Sequence, residues 1–304
     1  MKRRPLDRVG VALAWVCGLA IIGLVGAVIG WLAWQGADKL SVSFLTNDPL
    51  PGSVEQGLLG GIRGPIAGTL IVTVIGTAIA FPLGLATAIF LTEYRRPVIL
   101  ARTVEATIDL LFGIPAVVFA LVALAVFAAP WLAPLSGTVA SSGQASGRSF
   151  LVAGIMMSLL ALPPITRATQ ESIAAIPTDL REASYALGKG KLATIRRIVV
   201  PGARPGIATG TILGAGRIAA DTAIALIVLG GAITFQDHWY EPSHWKQTLQ
   251  GNGATLSSYI YNASPVGDGN DKGAALGAAF VLIVVMLVVN TGIAFASRRG
   301  TWKR

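Results

Sequence analysis

The sequence predicts an all-α membrane protein of six transmembrane helices with both termini in the cytoplasm. Three observations carry that reading. The first is composition: 53% of the residues are hydrophobic and 13% are charged, where a soluble domain carries about 25% charge. The second is a set of long uncharged runs. Crossing ~30 Å of hydrocarbon at ~1.5 Å per residue takes about 20 apolar residues, and lipid offers no partner to a free backbone group, so the spans must be helices. The third is the placement of cations. With six spans and an inner N-terminus, eighteen Lys and Arg fall inside and five outside, and Arg217 lies within a span. That excess is the positive-inside signature. Acidic residues divide evenly, seven and seven. The net charge of +9 is thus a matter of topology and requires no nucleic-acid partner.

The elements follow in order. Span one, Val9 to Trp34, comes after Lys2, Arg3 and Arg4. Its run exceeds the ~7–15 residues of a signal-peptide core, and no Ala-x-Ala site closes it, so it reads as a retained anchor. Gln35 to Arg63 is an outside connection with a turn cluster from Thr46 to Gly52. Span two, Gly64 to Thr92, carries Pro82, where a kink is expected, and closes at Glu93-Tyr94-Arg95-Arg96-Pro97. Span three, Leu110 to about Pro130, follows Glu105 and Asp109 and contains Gly113-Ile114-Pro115, a second expected distortion. Pro130 to Gly147 is an outside loop rich in Pro, Gly and Ser. Span four, Ser149 to Thr166, reaches Pro163-Pro164, and Arg167, Glu171 and Ile173 continue a polar helix to Pro177.

Span five, Pro205 to Gln236, is interrupted only by Arg217 and Asp221, and Gly206, Gly210 and Gly214 recur every four residues, a face for close helix approach. The loop from Gly231 to Lys272 holds Trp239, Tyr240, Trp245, Tyr259 and Tyr261. These read as an interfacial belt or as a surface for an outside partner. Span six is Gly273 to Ser297. Cys17 is the single cysteine, a small apolar filler without a disulfide partner. His238 and His244 are too few for a metal site.

The segment 167–204 is the largest inner loop. Thr178 is the expected N-cap of a short helix, with Asp179 and Glu182 in its first turn, where acids suit the helix dipole. Gly188 can end that helix in a left-handed conformation. Between Pro177 and Gly188 lies a helix of about ten residues, with Leu180, Ala183 and Leu187 forming an apolar stripe suited to a groove. Glu182-Ala183-Ser184 is followed by Gly188, then nine residues, then Ile198-Val199-Val200-Pro201. This resembles the EAA loop of bacterial ABC importer permeases: Glu-Ala-Ala, three residues, Gly, nine residues, Ile-x-Leu-Pro. Ser184 stands for the second Ala and Val200 for Leu. The resemblance implies a type I ABC importer permease fold, in which a short helix docks on a cytoplasmic ATPase. Asp179, Leu180, Glu182, Ala183, Leu187, Gly188 and Pro201 are then the expected coupling residues.

Catalytic motifs are missing from the sequence. Gly188-Lys189-Gly190-Lys191 is followed by Leu192 and lacks the spacing of a phosphate loop. Gly214-Ala215-Gly216-Arg217-Ile218-Ala219 fits a dinucleotide fingerprint only formally, since no strand precedes it. Zincin and nucleophile-elbow patterns do not occur. The expectation is a transport subunit, not an enzyme, that binds no cofactor and no metal. What remains is Arg217 and Asp221, one helical turn apart near mid-bilayer. A charge there costs ~2.5–3.5 kcal/mol even on mild insertion scales, and an i,i+4 pair offsets part of that. Two readings stay open: a neutral pair that packs within the bundle, or an anion pathway. In the second, the guanidinium fork matches a tetrahedral oxyanion, Asp221 orients it and Thr222 adds a hydroxyl.

From about Phe44 to the C-terminus the chain is similar to the PstA family of phosphate-importer permease subunits. The likeness rests on Gly60-Gly61-Ile62 leading to Gly68-Thr69, on Pro82-Leu83-Gly84 and on Glu93-Tyr94. It continues in Gly113-Ile114-Pro115-Ala116-Val117-Val118-Phe119 and in Arg217-Ile218-Ala219-Ala220-Asp221-Thr222-Ala223. Ala220 replaces the family's Gly, Asp221 its Glu, and Ile224 a frequent Pro. The resemblance implies ATP-driven phosphate import across the bacterial plasma or inner membrane, with Arg217, Asp221 and Thr222 on the substrate path. Implied partners are a PstC-like permease, two PstB-like ATPases that carry ATP and Mg, and a PstS-like binding protein. Residues 1–63 would be accessory and 64–304 the transport core. Alternatives are a permease for molybdate, sulfate or phosphonate and an ion-gradient carrier using Asp221, for which no inverted repeat is visible. A third is a non-transporting sensor or scaffold of the same fold, in which Arg217 is dispensable.

Overall fold

The computed structural model describes residues 5–49, 60–136, 145–230, 241–267, 269 and 271–298. The N-terminal cations Lys2, Arg3 and Arg4, Leu50 to Gly52 of the turn cluster, and His238, Trp239 and Tyr240 lie outside them. The ordered elements among the described residues are all helices, with no strand. Helix α1 (Pro5–Gly36) is an unbroken apolar rod, and α2 (Val42–Thr46) is a single turn whose Ser41 Oγ accepts from Phe44 N at 3.1 Å. Helix α3 (Arg63–Ile89) keeps Pro82 inside and runs into a π turn at Phe90–Tyr94. Helices α4 (Val98–Gly113) and α5 (Ala116–Phe127) meet at a bend of 105°. The reason is local: Pro115 pushes Ile114 into an extended conformation, ψ 126°. A turn, α6 (Ala133–Ser136), leads to α7 (Phe150–Ala174), which passes Pro163 and Pro164 without stopping.

Helix α8 (Thr178–Ala186), the turn α9 (Lys191–Thr194) and a π turn at Ile195–Val199 lead into α10 (Val200–Ala220). Then come α11 (Ala223–Val228), α12 (Trp245–Gln250), α13 (Leu256–Ala263) and α14 (Lys272–Arg298). Among the described residues, four continuous helices are long and apolar enough to cross a membrane: α1, α3, α7 and α14; the bent α4–α5 pair is a fifth if its two arms form one span. The described residues thus supply four or five of the six expected spans by length and composition. The run expected from Pro205 to Gln236 is α10, which starts earlier at Val200, and α11, with the helix broken at Asp221 and Thr222. The physical reason is that α10 packs against α3, α7 and α14, so its composition answers to protein neighbours more than to lipid.

The core centres on α7. Phe150, Met157, Leu160 and Ile165 are fully buried against Val72 and Ala80 of α3 and Ile218 of α10. Small residues let these helices close: a Cβ at Gly210 would stand 3.1 Å from Ile165 Cα, and one at Gly76 would stand 2.8 Å from Ile218 Cδ1. The Gly206, Gly210 and Gly214 face is accordingly the contact with α7, at Ser172 and Ile165. A second cluster (Phe44, Ile62, Leu256, Tyr259, Ala278) ties α2 and α13 to the start of α14. Tyr259 is thus a core residue and departs from the expected aromatic belt, whereas Trp245 is exposed. A third cluster (Ala88, Ile173, Ile176, Val199, Ala203) closes the opposite end, where α3 and α7 finish and α10 begins. Helix α1 stands apart from these clusters and meets α14 where Gly36 faces Gly277.

Candidate functional site

Two places in the bundle carry charge with defined geometry. The first is the break after α10. Ile218 packs at Gly76, the midpoint of α3, so the neighbouring Arg217 sits at mid-height in the bundle. Its side chain lies on an exposed stripe of α10 with Pro205, Thr209, Leu213 and Ala220. The guanidinium carbon is 5.6 Å from the ring centre of Phe112, in the last turn of α4.

Asp221 does something other than expected. The chain leaves the helix there (φ −72°, ψ 123°), and Asp221 Oδ1 accepts from Ile224 N at 2.8 Å, capping α11. Ser257 Oγ of the α13 segment donates to the Asp221 carbonyl at 2.9 Å. An i,i+4 ion pair with Arg217 is not formed; the ion pairs among the described residues lie elsewhere. The cause is the break itself, which turns the carboxylate toward the new helix start. Thr222 is the half-buried N-cap of α11, with no side-chain cap bond of its own. Both broken helices meet here: α11 packs on α5 while the ends of α10 and α4 touch through Arg217 and Phe112. Irregular backbone at membrane depth is tolerated only where protein or a wet cavity satisfies it, and Ser257 supplies such a partner to the half-buried Asp221.

The second place is the α8 end. Helix α8 starts at Thr178 with Pro177 as its N-cap, and no side chain caps it, so the expected Thr178 cap is one residue out. Its C-terminus behaves as expected. Gly188 has φ +73°, Gly188 N donates to Tyr185 O at 2.9 Å and Lys189 N to Ser184 O at 3.2 Å, a Schellman pair. The stripe Leu180, Ala183 and Leu187 is exposed, Leu187 to 76%, and so are Asp179 and Glu182. Ser184 faces inward, sharing a 2.8 Å hydrogen bond with Thr194. Pro201 stands in the first turn of α10, directly after the π turn that runs into it.

Sequence reasoning missed the pairings that organise this end. Arg181 binds the Glu93 carboxylate, and Lys191 donates to the Glu93 carbonyl while its ammonium lies 4.7 Å from the Tyr94 ring centre. Arg167 of α7 pairs with Glu105 at 3.3 Å and with Asp109, both on one face of α4. No local signal announces these pairs, since 88 residues separate Arg181 from Glu93 and 62 separate Arg167 from Glu105. Glu93, Glu105, Asp109 and Arg167 enter the sequence reading as markers of span ends, of a polar helix or of family likeness, without their partners.

The family model for binding-protein-dependent transport system inner membrane components matches residues 80–300. The phosphate transport system permease protein PstA 1 of Mycobacterium tuberculosis is 31% identical over 288 residues, 93% of this chain and 86% of that one. The phosphate transport system permease protein PstC of Mesorhizobium japonicum is 31% identical over 74% of this chain and 72% of its own. Among solved structures, a bacterial ABC transporter involved in the import of the acidic polysaccharide alginate superposes with a TM-score of 0.60. It covers 97% of each chain at 17% identity, a likeness of fold alone.

Proposed function

The chain belongs to the family of binding-protein-dependent transport system inner membrane components, and from that premise we propose that it is a permease subunit for inorganic phosphate. The observation that carries the proposal is Arg217: an exposed guanidinium at mid-height, on a face of α10 that this chain leaves open, beside two helix breaks. An arginine fork matches two oxygens of a tetrahedral oxyanion. A cation–π contact at an exposed site is worth ~0.5–1 kcal/mol, so an arriving anion displaces Phe112 at little cost. Names of relatives similar over most of the chain, PstA and PstC among them, point to the same substrate.

In this reading Asp221 and Thr222 shape the path by holding the break open rather than by pairing with Arg217. The open face of α10 meets a PstC-like partner permease, and the pathway runs between the two. Both termini and α8 lie in the cytoplasm. Leu180, Ala183 and Leu187 enter a groove on one of two PstB-like ATPases, with Asp179 and Glu182 at the rim, Gly188 ending the docking helix and Pro201 starting the next one. ATP and Mg are held by those ATPases, and a PstS-like protein delivers phosphate from outside. Closure of the ATPases moves α8 and switches the path between its two openings.

The test is uptake of labelled phosphate by vesicles holding the assembled transporter, wild type against Arg217→Ala. The expected result is a loss of uptake of about 100-fold, as for removal of a charge-assisted contact from a ligand path, with assembly and ATPase binding retained. Equal uptake with and without Arg217 sinks the assignment of the path. Wild-type uptake of sulfate or molybdate in place of phosphate moves the proposal to that oxyanion and makes Asp221 and Ala220 the first residues to exchange.

A further inference from the structure

We infer that Arg181 is the positioning residue that fastens α8 to α3 and α7, so that a displacement of α8 is delivered to those two helices as one body. The inference rests on the reading of α8 as the docking helix. Arg181 Nε and Nη2 both reach Glu93 Oε1, at 3.1 and 3.0 Å. Nη1 donates to Ile176 O at 2.7 Å and Nη2 to Ile173 O at 2.9 Å. One guanidinium therefore joins three elements: α8 itself, the C-terminal end of α7, and the π turn that ends α3. The chemistry is that of a cation covering a helix C-terminus, where carbonyls lack partners and the dipole is negative.

Burial separates this contact from an ordinary surface pair. The Arg181 side chain is 16% exposed and Glu93 8%, against 32% for Arg167 and 60% for Asp109. The chain just beyond α8 is held to the same π turn, since Lys191, the first residue of α9, donates to Glu93 O and lies over Tyr94. Within α8 only Ser184 is buried and Arg181 half-buried, so these two side chains hold the helix and the rest of its surface faces outward. Beyond the anchor, α3 and α7 interlock along their length: a Cβ at Gly154 would stand 2.5 Å from Ile75 Cγ2, and one at Gly84 would stand 2.7 Å from Ile165 Cγ2. Packed elements of this kind move together rather than deform. A push on α8 thus reaches Ile165, and through it the Gly210 and Gly214 face of α10 that carries Arg217 on its other side.

The experiment compares wild type, Arg181→Ala, Arg181→Lys and Glu93→Gln in the assembled transporter in vesicles. Two quantities are read: ATP hydrolysed per phosphate imported, and hydrogen exchange of the amides of residues 178–186. For Arg181→Ala we expect ATP hydrolysis close to wild type, a ratio of ATP to phosphate raised about tenfold, and amide exchange about tenfold faster, the signature of an unfastened segment. Glu93→Gln should move both quantities the same way by less, and Arg181→Lys should fall between, because an ammonium lacks the fork. Faster exchange at an unchanged ratio would make the contact structural only and overturn the inference, as would unchanged exchange in both Arg181→Ala and Glu93→Gln. If Arg181→Ala does not assemble, Glu93→Gln, which is isosteric, decides. If wild type hydrolyses ATP without importing phosphate, the substrate reading fails alone. Exchange at 178–186, together with stimulation of ATP hydrolysis in Arg181→Ala and Glu93→Gln, then decides the fastening.

Discussion

Two arginines in this chain have opposite surroundings. Arg181 spends its donors on one carboxylate and two backbone carbonyls and is 16% exposed. Arg217, at mid-height in the bundle, has an aromatic ring beside it at 5.6 Å and an open face in front. A guanidinium has five donors in a fixed fork. Where the protein saturates the fork, the residue holds elements together and has nothing to offer a passing anion. Where the protein leaves it open, the energetic cost of a charge at that depth is retained for something that is not part of this chain. The difference separates a part that transmits force from a part that can touch cargo, on the same bundle and with the same side chain.

That contrast can be broken or sharpened by substitution. The largest effect, after loss of Arg217 itself, is expected from Glu182→Lys, which reverses a charge on the exposed side of α8 and leaves the Arg181 contacts alone. Uptake of labelled phosphate should fall at least about tenfold while the chain still inserts and assembles, since like charges at a docking surface cost several kcal/mol; undiminished uptake would remove α8 from the coupling path. Next comes Gly210→Leu. A Cβ there meets Ile165 backbone at 3.1 Å, and overpacking costs ~1–3 kcal/mol or more. The yield of folded chain and its melting temperature in detergent should both drop. Gly216→Ala is the control, because nothing lies within 4 Å of its Cβ in this chain. If Gly216→Ala leaves the isolated chain stable but lowers complex formation, the open face of α10 is where the partner sits.

Smaller effects test each arginine's neighbour. Phe112→Ala removes the ring beside Arg217, a contact worth ~0.5–1 kcal/mol, so the apparent Km for phosphate should shift only a few-fold in initial-rate uptake. A loss as large as that of Arg217→Ala would mean that the ring, not the cation, organises the site. The smallest is Ser184→Ala, which removes the buried 2.8 Å hydrogen bond to Thr194. That bond is worth ~0.5–1.5 kcal/mol, and Thr194 keeps Gly190 O at 3.2 Å as a second partner. Transport should be unchanged and melting should shift by a few degrees at most.

Much of this molecule was written locally in the sequence. Apolar run length dictates membrane-crossing helices, because lipid cannot satisfy free backbone groups. Pro115 after Ile114 dictates the bend between α4 and α5, and Gly188 dictates where α8 stops, each through the conformations open to one residue. The spacing of Gly206, Gly210 and Gly214 foretells a close helix contact, though not with which helix. What tertiary structure alone decided is where the charges go. The i,i+4 spacing of Arg217 and Asp221 suggested a pair, yet the helix ends between them, because Ser257 takes the Asp221 carbonyl and Ile224 N takes its carboxylate. The partners of Arg181 and Arg167 lie on helices 88 and 62 residues away. Periodicity and propensity act over a few turns of chain, whereas a buried charge is satisfied by whichever group packing brings within 3 Å; only the folded bundle states which group that is.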